Sequence, residues 1–169
     1  MLTVEVKDFY ACGVKFFHMR QVEIILYTLS GTKIMDNKVT GSCLCGQVKF
    51  NIVKDFKAFH LCHCLQCRKI TGSAHASNLF TAPENIEWTD GAELLQTFDH
   101  PDNNFRKVFC RDCGSGLPYE SRRIPMLIVP AGSLDEAPEM EPMDHIFWHE
   151  KADWYESAKG KPTFDGFPS

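Results

Sequence analysis

Seven of the chain's eight cysteines fall in three short stretches: Cys43-Leu44-Cys45, Cys62-His63-Cys64-Leu65-Gln66-Cys67 and Cys110-Arg111-Asp112-Cys113. Thiolates one or two residues apart can turn toward one point and hold a soft cation, and structural zinc sites take four ligands in a tetrahedron. Seven does not divide into fours. It divides into a closed set of four and a set of three, and a set of three leaves one coordination position open to chemistry.

A disulfide framework is the competing use of eight cysteines, and it belongs with secretory sequences. Here the longest early apolar run, 24–29, is too short for a signal segment; acidic Glu5, Asp8 and Glu23 precede it, and no small-residue cleavage site follows. No stretch reaches the roughly 18 apolar residues of a membrane span. The expected location is therefore cytoplasmic, where thiols stay reduced and free for metal. Cys12 stands alone and reads as a small buried residue.

The net charge of −4 offers no basic field for nucleic acid or an anionic membrane surface. Cations do lie in or beside the clusters, at Arg68, Lys69, Arg106, Lys107 and Arg111, where they can offset thiolate charge. A hydrophobic fraction of 44% with thirteen Phe in 169 residues supports one domain with a core of its own, so metal need not be all that holds it.

The expected class is mainly β with little helix. Residues 1–38 read as an N-terminal extension, either an added strand (21–29 is strand-like) or the product of an upstream start, and 39–167 as the zinc-binding domain. Gly41 to Gly46 reads as a turn with glycine at both ends. Val48, Phe50 and Ile52 then alternate with polar residues, the pattern of a half-buried strand. Further strands are expected over 56–61 and 75–80, with a helical turn over 64–71 ended by Gly72. Residues 94–98 and 106–109 form a hairpin, and 126–129 a central strand. Pro138 and Pro142 mark a loop before His145, and the aromatic tail (Trp154, Tyr155, Phe164, Phe167) is expected to fold back onto the body.

Each of Cys43/Cys45 and Cys110/Cys113 is half a site. In an extended segment residues i and i+2 share a face, and a Cys-x-x-Cys turn projects both sulfurs from one loop. Pairing these two halves leaves Cys62, Cys64 and Cys67 on one ion, with water, a substrate thiol, His63, His60 or His75 as the fourth ligand. Spacing equally allows Cys43, Cys45, Cys62 and Cys64 to close one site, leaving Cys67, Cys110 and Cys113.

The segments Gly41-Ser-Cys-Leu-Cys-Gly-Gln-Val, Cys62-His-Cys-Leu-Gln-Cys-Arg-Lys, Phe109-Cys-Arg-Asp-Cys-Gly and Ala131-Gly-Ser-Leu-Asp resemble the glutathione-dependent formaldehyde-activating enzyme family, whose domain is shared with centromere protein V. His145-Ile-Phe-Trp and Ala152-Asp-Trp-Tyr are similar to its C-terminal pattern. The resemblance implies an Mss4-like fold of β-hairpins around two Zn2+ ions. Cys43, Cys45, Cys110 and Cys113 would hold a structural ion, and Cys62, Cys64 and Cys67 a catalytic one. It also implies a carbon–sulfur lyase joining glutathione, or a similar thiol, to formaldehyde or another small aldehyde. A zinc-stabilised binding module without catalysis is the alternative, since a fold is inherited more reliably than a substrate.

Among other residues, Arg68 and Lys69 could bind a substrate carboxylate or offset thiolate charge. His63 is expected to point away from the metal, and His75 and Ser73 either to line the pocket or to face solvent. Trp148, Trp154 and Tyr155 read as core or pocket wall, and Asp112 as solvated. No Ser/His/Asp order or phosphate-cradling glycine loop is present.

Overall fold

Alternation of apolar and polar residues sets most of the strands. The computed structural model describes residues 37–168 together with the backbone of Val14–Lys15 and Tyr27–Thr28. In chain order the strands are β1 (Val14–Lys15), β2 (Tyr27–Thr28), β3 (Lys38–Ser42), β4 (Lys49–Val53), β5 (Ala58–Cys62), β6 (Ala76–Thr81) and β7 (Ile86–Asp90). They continue as β8 (Leu95–Asp99), β9 (Arg106–Cys110), β10 (Gly116–Leu117), β11 (Tyr119–Glu120), β12 (Leu127–Pro130) and β13 (Asp144–Ile146). Two short helices, α1 (Leu65–Thr71) and α2 (Tyr155–Ala158), follow β5 and β13. Among the described residues no helix is long and apolar enough to cross a membrane.

The chain divides into two units, Met1–Asn37 and Lys38–Ser169. In the first, β1 and β2 pair antiparallel, Val14 opposite Thr28. The rest of the strand expected over 21–29, and Cys12, lie outside the described residues.

The second unit holds three sheets, ordered β3-β4-β7, β10-β9-β8 and β11-β12-β6-β5-β13. Val48, Phe50 and Ile52 of the β3–β4 hairpin are almost completely buried, as their alternation requires, against Leu79, Leu117, Leu127 and Val129. The β8–β9 hairpin has the expected register, from Leu95 opposite Cys110 to Asp99 opposite Arg106. Residues 127–130 form an interior strand between β11 and β6, while β6 occupies the centre.

Two expectations are corrected and one strand is added. Gly41 belongs to β3 and not to the following turn; a Cβ there would overlap the Phe50 ring and approach the Ser133 carbonyl oxygen at 2.7 Å. That glycine exists to let an aromatic ring close on the backbone. Residues 86–90, unassigned on sequence, form β7, whose Trp88 packs edge-on against Phe50 with ring centroids 5.5 Å apart. The tail does not bury its aromatics: Trp154, Phe164 and Phe167 are exposed, and only Tyr155 packs inward.

β13 is the one parallel partner in its sheet and reaches β5 from far along the chain, with Asp144 opposite His60 and Ile146 opposite Cys62. It ties the C-terminal segment to the second cysteine cluster.

Candidate metal centres

The sulfurs gather in two groups. Cys43, Cys45, Cys110 and Cys113 have Sγ atoms all within 4.8 Å of one another, and so do Cys62, Cys64 and Cys67. The other grouping that spacing allows does not occur. All seven are free thiols. Sγ atoms 3.3 Å apart in Cys43/Cys45 and 3.9 Å apart in Cys45/Cys110 lie far beyond a disulfide bond. They bracket the roughly 3.8 Å expected between sulfurs at tetrahedral corners around zinc. Thiolate donors at these separations fit zinc, and either group could hold it.

The four-sulfur group joins two hairpins. Cys43 and Cys45 sit in the tight turn between β3 and β4, closed by Gly46 N–H to the Cys43 carbonyl at 2.9 Å, and not on an extended segment as expected. Cys110 ends β9, and Gly114, at φ +74°, lets the Cys-x-x-Cys loop curl so that its N–H reaches the Cys110 carbonyl at 2.8 Å. Backbone N–H of Val48 donates to Cys43 Sγ at 3.3 Å. Ser115 links the halves: its Oγ accepts from Leu44 N–H at 3.0 Å and contacts Cys113 Sγ at 3.3 Å. The Ser115 hydroxyl and backbone hold the Cys113 thiol down at about 6.

The three-sulfur group occupies a strand-to-helix corner. Cys62 ends β5, Cys64 caps α1 in extended conformation, and Cys67 lies on the first turn of α1 and donates its N–H to Cys64 Sγ at 3.4 Å. Hydrogen bonds from Cys62 and Cys67, with backbone amides, push the Cys64 thiol down to about 2, while bonding to Cys64 raises Cys62 to about 11. The corner is built to carry a thiolate. All three cysteines line a cavity of about 690 Å³, walled by Phe105, Tyr119, Ile124 and Phe147 and rimmed by Arg122 and Arg123. Among the described residues no His, Cys, Asp or Glu joins them as a fourth ligand.

His60 lines the same cavity, two residues before Cys62 and therefore on the same strand face. Its Nδ1 lies 2.6 Å from Asp144 Oδ1, which leaves Nε2 as the nitrogen free to take a proton. Sequence weighed His60 only as a ligand; Asp144, which orients it, arrives through the parallel pairing of β13.

The two other histidines weighed as ligands are elsewhere. His63 is fully buried, its Nε2 2.9 Å from His145 Nδ1 and its ring packed against His75, Trp148 and Tyr155. Burial, first, and then the neighbouring imidazoles lower its pKa, so it stays neutral. His75 lines a second cavity, with Lys107 and Asn78, and not the one that holds the three sulfurs. Ser73 is exposed. Arg68 Nη1 donates to the Glu150 carbonyl at 2.6 Å, while Glu150 Oε2 accepts from Leu65 N–H at 2.8 Å. Together they fasten the cysteine-bearing helix to the C-terminal segment. Lys69 is exposed, as is Asp112, which sits 3.5 Å from Arg111.

A model of the glutathione-dependent formaldehyde-activating enzyme family matches residues 38–150. The chain belongs to that family. A curated protein of Halomonas elongata, named "Putative glutathione-dependent formaldehyde-activating enzyme", is 30% identical over 138 residues, covering 76% of this chain and 87% of its own. A crystal structure of a Rhodobacter sphaeroides protein superposes with a TM-score of 0.51 at 22% identity, over 63% of this chain and 98% of that one, and shares the fold. The formaldehyde-activating family match begins at residue 38, where β3 begins, and contains all seven clustered cysteines.

Proposed function

We propose that the protein is a zinc-dependent carbon–sulfur lyase that joins a thiol such as glutathione to formaldehyde or another small aldehyde, or separates them. The observation that carries this reading is the three-sulfur corner of Cys62, Cys64 and Cys67, which has no fourth side-chain ligand among the described residues and opens on a cavity of about 690 Å³. Two zinc ions per chain are expected, one for each group of sulfurs. A zinc ion at the three-sulfur corner would supply a Lewis acid and would favour an anionic thiolate.

The protein's own residues account for the proton. His60 Nε2, with Nδ1 fixed by Asp144, accepts the proton of the entering thiol. The sulfur then bonds to the carbonyl carbon, the carbon–oxygen π pair moves to oxygen, and that oxygen takes the proton back from His60. The product is an S-hydroxymethyl thioether, and the reverse order releases the aldehyde. Arg122 and Arg123 at the rim supply positive charge for an anionic thiol, and Phe105, Ile124 and Phe147 give the cavity an apolar wall.

The test is NMR-monitored exchange between glutathione and its formaldehyde adduct, with and without zinc-replete protein. Acceleration is expected. Its absence removes glutathione and formaldehyde as substrates. Cys64→Ser should keep the fold by circular dichroism, lose one zinc equivalent and lose turnover; collapse of the domain instead would favour a zinc-stabilised binding module. His60→Gln should keep both zinc ions and slow turnover by about a hundredfold.

A further inference from the structure

Lys107 is a lysine on β9 with only 7% of its surface exposed and no ion pair or hydrogen bond to its Nζ among the described residues. Lysine is seldom buried without a counter-charge, because the ammonium loses its hydration. Its side chain lines a second cavity of about 970 Å³, separate from the one that holds the three sulfurs. Gly116, on the neighbouring strand β10, makes room for it: a Cβ there would meet Lys107 Nζ at 2.6 Å. The ammonium also lies over the Tyr119 ring, 5.6 Å from its centroid.

A second buried polar group converges on the same space. Asn78 is 7% exposed, its side-chain amide has no hydrogen-bond partner among the described residues, and it lines both cavities. Neither nitrogen is sealed off completely, so each can donate to an acceptor that enters the cavity. The one acidic side chain on the lining, Asp135, is exposed and accepts from Ser42 Oγ at 2.7 Å.

We propose that Lys107 and Asn78 form the floor of a carboxylate-binding subsite in this second cavity. One ammonium matches one negative charge, and among the described residues no arginine lines the cavity to balance a phosphate dianion. The Asn78 amide donates to the second carboxylate oxygen. Burial lowers the Lys107 pKa. Asn78 forms part of the wall between the two spaces.

The experiment is titration of the zinc-replete, 15N-labelled full chain with propionate, followed through the Asn78 side-chain amide resonance, with propionamide as the neutral control. Propionate should shift that resonance saturably and propionamide should not. Lys107→Met should weaken propionate by about tenfold or more, and Lys107→Arg should largely retain binding. If Lys107→Met fails to fold, judged by zinc content and circular dichroism, Asn78→Ala carries the test through the remaining shifted resonances, with a similar loss expected. No saturable shift, an equal response to propionamide, or unweakened binding in the folded variants overturns the subsite. Glutathione competing with propionate would identify the carboxylate as the thiol substrate's own, whereas simultaneous binding would assign it to a separate acid; both uphold the subsite. No turnover is needed for the reading. Its failure therefore leaves the thiol–aldehyde reading untouched, and a negative turnover assay leaves the subsite standing.

Discussion

Glu150 shows how one residue far along the chain can govern a cysteine corner. Its carboxylate takes the first free N–H of α1 and its carbonyl takes Arg68, so the start and the middle of one short helix hang on it. Glu150→Ala should lower stability by about 1 kcal/mol and speed the release of one zinc equivalent to a chelator, while Glu150→Gln, which keeps an acceptor, should do less of both. Unchanged release from Glu150→Ala would show that the helix needs no such tether. Gly41 is the opposite case, a residue whose value is what it lacks. Gly41→Ala should destabilise the second unit by about 1–3 kcal/mol in thermal unfolding, because the Phe50 ring already occupies the space a methyl group needs.

At the level of elements, the hairpins with local partners were legible and the long-range pairings were not. The β4 and β8–β9 patterns announced themselves through alternation and a polar loop. The motifs around Cys43, Cys62 and Cys110 located the sulfurs, and the resemblance divided them. β13 carries no such signal: three residues, none fully buried, whose pairing with β5 depends on a partner more than eighty positions away. On sequence His60 is therefore one of several candidates for a fourth ligand, and nothing points to its partner Asp144. On sequence Lys107 is one of several cations beside the clusters, and nothing in its immediate neighbours signals its burial, for which Gly116 on another strand leaves space. In the β8–β9 hairpin, Arg106 binds Asp99 through two nitrogens at 2.7 and 2.8 Å and holds its carboxyl below the usual range. That contribution is present above the ordinary carboxylate pKa and is lost as pH falls through the lowered one. Asp99→Asn should accordingly melt slightly below the parent at neutral pH, and the difference should vanish in acid.

For the whole molecule, the four-sulfur group joins the β3–β4 turn to the loop after β9, two hairpins whose cysteines lie 65 positions apart. Metal held there closes a long loop, so its binding energy becomes folding energy. Cys110→Ser, or stripping of both ions by a strong chelator, should abolish cooperative unfolding in calorimetry, in contrast to the folded Cys64→Ser protein. The second unit has its own core and contains both sulfur groups. A chain beginning at Lys38 should fold and bind two zinc equivalents; failure to do so would give the first 37 residues a structural part.

The parallel seating of β13 also bears on the order in which a nascent chain matures. All seven clustered cysteines precede Asp144, His145 and Glu150 in the chain and are synthesised before them. β5 therefore waits for its parallel partner, and α1 for its Glu150 contacts, until the end of the chain is made. Any form of the chain that stops before Asp144 lacks both the carboxylate that meets His60 and the residue that holds the start of α1.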